Sequence, residues 1–206
     1  SKMRKLTALG TSCPDHFLRT KVKPMVLDLP ADSDIEKVKA RLEKLHEAYR
    51  ADYETYYKAH AKKGSPAMRG ADPAIVLIPG VGMFSFGANK QTARVAGEFY
   101  LNAINVMRGA ESLSTYVPIS DQEKFDIEYW SLEEAKLQRM PKPKPLAGRV
   151  AFVTGAGSGI GKAIATRIVA EGGCAVIADM NLDNAEQVAL ELGGPDHAIA
   201  VSVNVT

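Results

Sequence analysis

The stretch from Val150 to Gly161, which reads VAFVTGAGSGIG, decides how the last part of this chain folds. Its beginning is an apolar run of strand length, and four glycines follow between positions 155 and 161. From Lys162 to Ala170, apolar residues recur at helical spacing. The sequence therefore predicts a strand, a tight glycine-rich turn and a helix that begins at the turn. Because the N-terminus of a helix attracts anions, the turn is a predicted site for the pyrophosphate of a dinucleotide.

The spacing of the glycines distinguishes two kinds of nucleotide-binding turn. The common G-x-G-x-x-G pattern would require glycine at position 160, where this chain has Ile160. The sequence instead fits T-G-x-x-x-G-x-G from Thr154 onward. This pattern resembles the short-chain dehydrogenase/reductase family, whose fold is a Rossmann doubly wound parallel sheet. The resemblance implies that the cofactor contacts the following residues at the turn: Gly155, Ser158, Gly159, Ile160 and Gly161.

An acidic residue ends the second predicted strand. The apolar run from Cys174 to Ala178 leads into Asp179, eighteen positions after Gly161. A carboxylate at this place can accept hydrogen bonds from both hydroxyls of the adenosine ribose, and it repels a 2′-phosphate. The sequence therefore favours NAD over NADP as the cofactor. A helix cap or a solvated strand end is the alternative interpretation of Asp179.

The elements that follow complete half of such a sheet. A helix is predicted from Asn181 to Leu192, and a third strand from Ile199 to Thr206. The resemblance implies that Asn204 and Val205 contact the adenine, although relatives commonly have Asp-Val there; an amide oxygen can still accept the hydrogen bond. Strand-helix-strand-helix-strand is about one mononucleotide-binding half of the α/β fold, so we expect the chain to be a fragment.

The first 140 residues predict an α/β region of a different kind. Ser33 and Glu36 have capping-box spacing, and a long amphipathic helix follows until Gly64. A strand over residues 74–78 continues into a glycine-rich hairpin. Two more helices are predicted: one over residues 89–107 that Gly109 ends, and one from a capping box at Ser120 through residue 137.

A proline-rich segment separates the two regions. Prolines alternate with lysines from Pro141 to Pro145 and favour an extended strut. We therefore divide the chain into residues 1–140, a linker over residues 141–145, and residues 146–206. Residues 146–206 have a net charge of −3, so the basic excess of the chain belongs to its first part.

Further segments resemble the bifunctional rhamnulose-1-phosphate aldolase/short-chain dehydrogenase proteins of bacterial rhamnose catabolism. They are residues 10–16, the strand end at 78–82, residues 126–137 and the linker. The resemblance implies that residues 1–140 are the C-terminal part of a class II aldolase region. It also implies that the intact protein oxidises an alcohol, lactaldehyde or a sugar with NAD, and that its aldolase region holds zinc. The family's histidine cluster is not found in this sequence, so no metal ligand is assigned.

No catalytic residue is assigned in this chain either. The family's catalytic Ser and Tyr-x-x-x-Lys are not reached, and all seven tyrosines precede residue 146. We therefore expect these 206 residues to be inactive by themselves. Cys13, Asp15 and His16 lie close in sequence, but isolated residues of these types are more often structural than ligands or nucleophiles.

Composition limits the classes of partner. A formal net charge of +2 does not favour binding to nucleic acid or to an anionic membrane, and no apolar stretch approaches bilayer length. The two cysteines, Cys13 and Cys174, lie in different segments, and neither has a partner at metal-ligand spacing. We therefore expect a reducing compartment. We expect a cytoplasmic protein with a small-molecule substrate that forms a homo-oligomer. A non-catalytic nucleotide-binding or assembly protein with the same half fold is the alternative hypothesis.

Overall fold

The computed structural model describes residues 2–11, 13 and 16–205. Contacts divide the chain into two compact units: the first unit comprises residues 1–87 and 92–140, and the second unit comprises residues 88–91 and 141–206. The prediction of an α/β fold is confirmed in both units. None of the helices in the described ranges is long and apolar enough to cross a membrane.

The secondary structure before the prolines is mixed. The helices are α1 (Lys2–Leu9), α2 (Phe17–Thr20), α3 (Ile35–His60), α4 (Lys90–Leu113), α5 (Asp121–Glu128) and α6 (Ser131–Gln138). The strands are β1 (Met25–Val26), β2 (Ile75–Ile78) and β3 (Gly82–Ser85). Strand β2 lies in the middle of the sheet, parallel to β1 and antiparallel to β3. The predicted hairpin is therefore confirmed.

Helix α4 supplies the side chains that pack around Ile75 of β2. Ala96, Tyr100 and Ala103 of α4 are buried with it in one apolar cluster. Gly109 lies inside this helix, so the prediction that Gly109 ends it is wrong. A glycine in a helix interior costs only about 1 kcal/mol, and the last turn is anchored because Glu111 accepts a hydrogen bond of 2.7 Å from the Tyr116 amide.

Two helix boundaries differ from the predictions. Helix α3 is capped by Asp34, whose carboxylate accepts the Lys37 amide at 2.9 Å, and Ser33 is not the cap. Its last residue is His60, because Ala61 has extended backbone. The capping box at Ser120 is confirmed, but the helix that it begins ends at Glu128.

The break after Glu128 has a tertiary cause. The Tyr129 hydroxyl lies 2.7 Å from the Tyr53 hydroxyl of α3 and accepts a hydrogen bond from the Arg69 amide. Trp130 then takes an extended conformation as the N-cap of α6. The predicted single helix through residue 137 is therefore two helices.

The second unit contains a parallel three-stranded sheet. Its strands are β4 (Val150–Thr154), β5 (Cys174–Asp179) and β6 (Ala198–Ser202), in the order β4-β5-β6. The connecting helices are α7 (Gly159–Ala170) and α8 (Leu182–Glu191). Strands β4 and β5 pair in parallel, with Val150 opposite Cys174, and β5 and β6 pair in parallel, with Ala175 opposite Ala198. This alternation confirms the predicted half of a doubly wound sheet.

Small and branched apolar residues fill the core of this unit. Ala165 of α7, Ile177 of β5 and Val188 of α8 are buried in one cluster. The third strand is shorter than predicted: it ends at Ser202, and residues 203–205 belong to no helix or strand. Thr206, the last residue of that prediction, lies outside the described residues.

Candidate functional site

The glycine-rich turn joins β4 to α7 and has the backbone that the sequence requires of it. Gly155 and Gly159 have φ angles of 62° and 53°, in a region that residues with side chains rarely adopt. A Cβ at Gly161 would lie 2.2 Å from the Gly155 carbonyl oxygen. The helix can therefore begin against the turn only because position 161 has no side chain.

The N-terminus of α7 is open to a ligand. Ser158 is the N-cap with extended backbone, and its side chain makes no capping hydrogen bond. The first amides of a helix have no acceptor within the helix. Ser158, Gly159 and Ile160 are exposed, so the amides after the cap lie at a surface where an anion can reach them. Ile160 adds an apolar side chain that is 81% exposed beside the turn.

Asp179 lies at the end of β5, next to the same turn. Its Oδ2 accepts the Gly157 amide at 2.9 Å, and its Oδ1 accepts the Asn181 amide at 3.0 Å. These backbone hydrogen bonds, first from Asn181 and then from Gly157, hold the pKa of the Asp179 carboxyl below its usual range. The group is therefore an anion beside the turn at neutral pH.

The structure brings most of the predicted residues together at the C-terminal ends of the strands. Gly155, Ser158, Gly159, Ile160 and Gly161 form the turn and the first residues of α7, and Asp179 contacts the turn through Gly157. Asn204 and Val205 follow the end of β6 as an exposed segment. The Val203 amide donates to the Asp179 carbonyl at 3.0 Å, so this segment leaves the sheet beside Asp179.

Sequence reasoning missed Gly157. The T-G-x-x-x-G-x-G pattern leaves this position free, and its φ is not among the positive ones, so neither motif nor backbone marks it. Its buried position beside the Asp179 carboxylate emerges only from the fold.

The first unit contains a buried polar cluster, which we define as Lys21, Tyr53, Glu128 and Tyr129. Tyr53 donates to Glu128 at 2.5 Å, and Lys21 Nζ lies 3.6 Å from the same carboxylate. Burial raises the pKa of Glu128 and lowers that of Lys21. Lys21 also has a φ of 60°, unusual for a residue with a side chain. The Tyr53 hydroxyl is engaged by Lys21, Glu128 and Tyr129, so the cluster links helices α3 and α5 to the residue after α2.

Of the three residues Cys13, Asp15 and His16, the structure describes Cys13 and His16. His16 is buried and stacks on Phe99 with ring centroids 4.8 Å apart. Asp15 lies outside the described residues. Over residues 2–11, 13 and 16–205, no three His, Cys, Asp or Glu residues are grouped so that they could hold a metal ion.

Comparison with known families agrees with the two kinds of unit. Residues 1–137 match the family described as "Aldolase class II, second domain". The chain belongs to this class II aldolase family. Residues 149–206 match the family described as short chain dehydrogenase. An aldolase-type region and a short-chain dehydrogenase region are therefore fused in one chain, as the resemblance implies.

Individual relatives match the chain over different lengths. The chain is 35% identical over 205 residues to "Uncharacterized oxidoreductase YuxG" of Bacillus subtilis, covering 98% of this chain and 30% of that protein. It therefore spans about 30% of the length of this relative. A 58-residue segment is 43% identical to "2-dehydro-3-deoxy-L-rhamnonate dehydrogenase (NAD(+))" of a Sphingomonas species, covering 28% of this chain and 23% of the relative.

A solved structure gives a similar partial match. The crystal structure of a hydroxysteroid dehydrogenase from Escherichia coli is 40% identical and covers 29% of this chain and 25% of that chain, with a TM-score of 0.27. The family matches and the relatives together show an aldolase-type region followed by an oxidoreductase-type region in this chain.

Proposed function

We propose that the second unit binds NAD and is the nucleotide-binding part of a short-chain oxidoreductase. The observation that carries the proposal is the Asp179 carboxylate held 2.9 Å from the Gly157 amide, beside the glycine-rich turn. In the intact protein this region would oxidise an alcohol, lactaldehyde or a sugar. The dehydrogenase relative from Sphingomonas, whose name includes NAD(+), supports the choice of cofactor.

The residues at the turn fit a dinucleotide. The amides of Gly159, Ile160 and Gly161 would face the pyrophosphate, because they are the first amides of α7 and Ser158 does not cap them. Gly155 would let the main chain approach the phosphates closely, since no heavy atom lies within 4 Å of an added Cβ there. Asn204 and Val205 would contact the adenine. When bound, NAD supplies the acceptor for a hydride from the substrate.

The carboxylate has the capacity that the ribose requires. An ionised carboxylate offers roughly four acceptor positions, and the Gly157 and Asn181 amides use two of them. The remaining positions can accept both ribose hydroxyls. A 2′-phosphate would place a second anion against Asp179, so we propose that NADP is disfavoured.

The aldolase-type region is the basis for a second proposed activity of the intact enzyme. The aldolase family match supports a second activity on a sugar phosphate, with rhamnulose 1-phosphate as the substrate by resemblance. Zinc would belong to that activity, and we assign none of its ligands to this chain. We also propose a small-molecule substrate, a cytoplasmic location and a homo-oligomer.

Calorimetric titration with NAD and NADP tests the proposed cofactor. The tyrosine and lysine that act in the family are not among these 206 residues, so the measurement is binding and not turnover. We expect NAD to bind more tightly than NADP. Asp179→Ala should weaken NAD binding about tenfold or more, because charge-assisted hydrogen bonds to the ribose are lost.

The matched control is Asp183→Ala, which removes an exposed carboxylate from the first turn of α8. It should leave NAD affinity unchanged. If the chain binds neither nucleotide, the glycine-rich turn serves packing alone, and the non-catalytic assembly hypothesis gains support. Tighter binding of NADP than of NAD would contradict the role of Asp179.

A further inference from the structure

Gly157 lacks a side chain for a reason that its own backbone does not supply. Its φ is not among the positive ones, so another residue could adopt the same conformation. The glycine is nevertheless buried, as is Ala156 before it, whereas Gly155 and Ser158 on either side of this pair are exposed. What it contacts must therefore explain why the position has no Cβ.

The contact is the carboxylate of Asp179. An ideal Cβ at position 157 would lie 2.9 Å from both Cγ and Oδ2 of Asp179, and 3.1 Å from Cβ of Asn184. Separations below about 3 Å are repulsive for carbon. A side chain here would have to displace the carboxylate or the start of α8.

Asp179 has little freedom to move aside. Its Oδ1 is held by the Asn181 amide and its Oδ2 by the Gly157 amide. Its main-chain carbonyl accepts the Val203 amide at 3.0 Å, and the Ala156 amide donates to the neighbouring Ala178 carbonyl at 3.2 Å. Displacing the carboxylate therefore means losing a hydrogen bond that links the glycine-rich turn to β5.

We propose that Gly157 is a positioning residue, which acts through Asp179 to orient the carboxylate toward the ribose and so sets the choice between NAD and NADP. This inference rests on the proposed function. The Gly157 amide holds one carboxylate oxygen at a fixed place, and the missing Cβ leaves room for it. The two acceptor positions that remain on the carboxylate are then directed by the turn itself.

A double-mutant cycle with Gly157→Ala and Asp179→Ala tests the inference. Nucleotide affinities are measured by calorimetry for the unaltered chain, both single variants and the double variant. Gly157→Ala should weaken NAD binding about tenfold and reduce the preference for NAD, because the carboxylate is displaced. In the Asp179→Ala background the same change should cost little, since the carboxylate is already absent.

A second measurement is independent of the nucleotide. The pKa of Asp179 is followed by carboxyl-carbon NMR in the free chain, where Gly157→Ala should raise it because one amide donor is lost. Gly109→Ala is the control, since its added Cβ meets nothing within 4 Å and it lies in α4 of the first unit. This control should change neither the Asp179 pKa nor the nucleotide affinities.

The outcomes separate the two proposals. A raised pKa with a loss of affinity that disappears in the Asp179→Ala background supports the inference. NAD binding combined with an unshifted pKa, or with equal losses of affinity in both backgrounds, overturns the inference alone. Absence of NAD binding by the unaltered chain overturns the proposed function and the inference together.

Discussion

Both units have apolar cores, but the two units differ in how many polar and charged side chains they bury. In the first unit Glu128 and Lys124 are only 1% and 2% exposed, and several threonines are buried with them. Among the described residues of the second unit, the buried side chains are apolar, and its important charge, Asp179, lies at the end of a strand. The difference follows from how each unit satisfies its backbone and joins its elements.

Regular parallel strands make the second unit simple. Its sheet pairs five successive residues between β4 and β5 and five between β5 and β6, so the central strand β5 has main-chain partners on both sides. Alanine, valine and isoleucine then suffice for the core. The groups proposed to bind the nucleotide are backbone amides and one carboxylate at the edge where the strands end.

Because the strands and some helices of the first unit are short, side-chain hydrogen bonds join its segments. Strand β1 has two residues and α2 has four, and the chain between α3 and β2 is irregular. The Lys124 ammonium donates to the Leu9 carbonyl at 3.1 Å, and the Tyr116 hydroxyl donates to the Gly10 carbonyl at 2.9 Å. Buried polar contacts of this kind fix which segments meet, at the cost of desolvating charges.

The largest expected effect is loss of the buried carboxylate of the first unit. Glu128→Leu should lower the free energy of unfolding by about 3–5 kcal/mol, because it leaves Lys21 buried without its partner. Urea unfolding followed by Trp130 fluorescence measures this, since Trp130 is the single tryptophan and belongs to the first unit.

A double variant sharpens that prediction. Lys21→Met with Glu128→Leu should be more stable than Glu128→Leu alone, because no unpaired charge stays buried. Glu54→Leu is the control, as it breaks the exposed pair with Lys58 and should cost about 0.5 kcal/mol or less. A double variant as unstable as the sum of the single variants would show that the pair is not coupled.

Close packing of the glycine-rich turn is the corresponding weak point of the second unit. Gly161→Ala should destabilise this unit by about 1–3 kcal/mol, because the new Cβ meets the Gly155 carbonyl. Amide hydrogen exchange of Ile177 and Ala178 in β5 reports the loss. Gly109→Ala should instead stabilise α4 by up to about 1 kcal/mol; equal destabilisation at both positions would contradict the packing argument.

The smallest expected effect concerns the cap of α3. Asp34→Ala should cost about 1 kcal/mol, because the hydrogen bond to the Lys37 amide is lost. Ser33→Ala should cost almost nothing, although its spacing to Glu36 fits a capping box. Urea unfolding of the two variants compares them directly, and a larger loss from Ser33→Ala would restore the prediction from sequence.

Prediction from sequence succeeded where the decisive contacts are local. The apolar run into Thr154, the glycines after it and the helical spacing from Lys162 specify a strand, a turn and a helix within about twenty residues. Two helix ends show the limit of such prediction. Ser33 has capping-box spacing, but the neighbouring Asp34 is the cap of α3. Gly109 is a common kind of helix end, but α4 continues to Leu113. The break at Tyr129 was beyond reach, since its cause is a hydroxyl of α3 more than seventy positions earlier.

The sequence by itself determined the α/β class, the glycine-rich turn and the acidic residue at the end of the second strand, because spacing along the chain encodes all three. Only the tertiary structure decided that the Asp179 carboxylate is held by the Gly157 amide, and that Lys21, Tyr53 and Glu128 meet inside the first unit. The physical reason is distance along the chain. Groups that lie 22 to 107 positions apart become neighbours only when the strands and helices between them have packed.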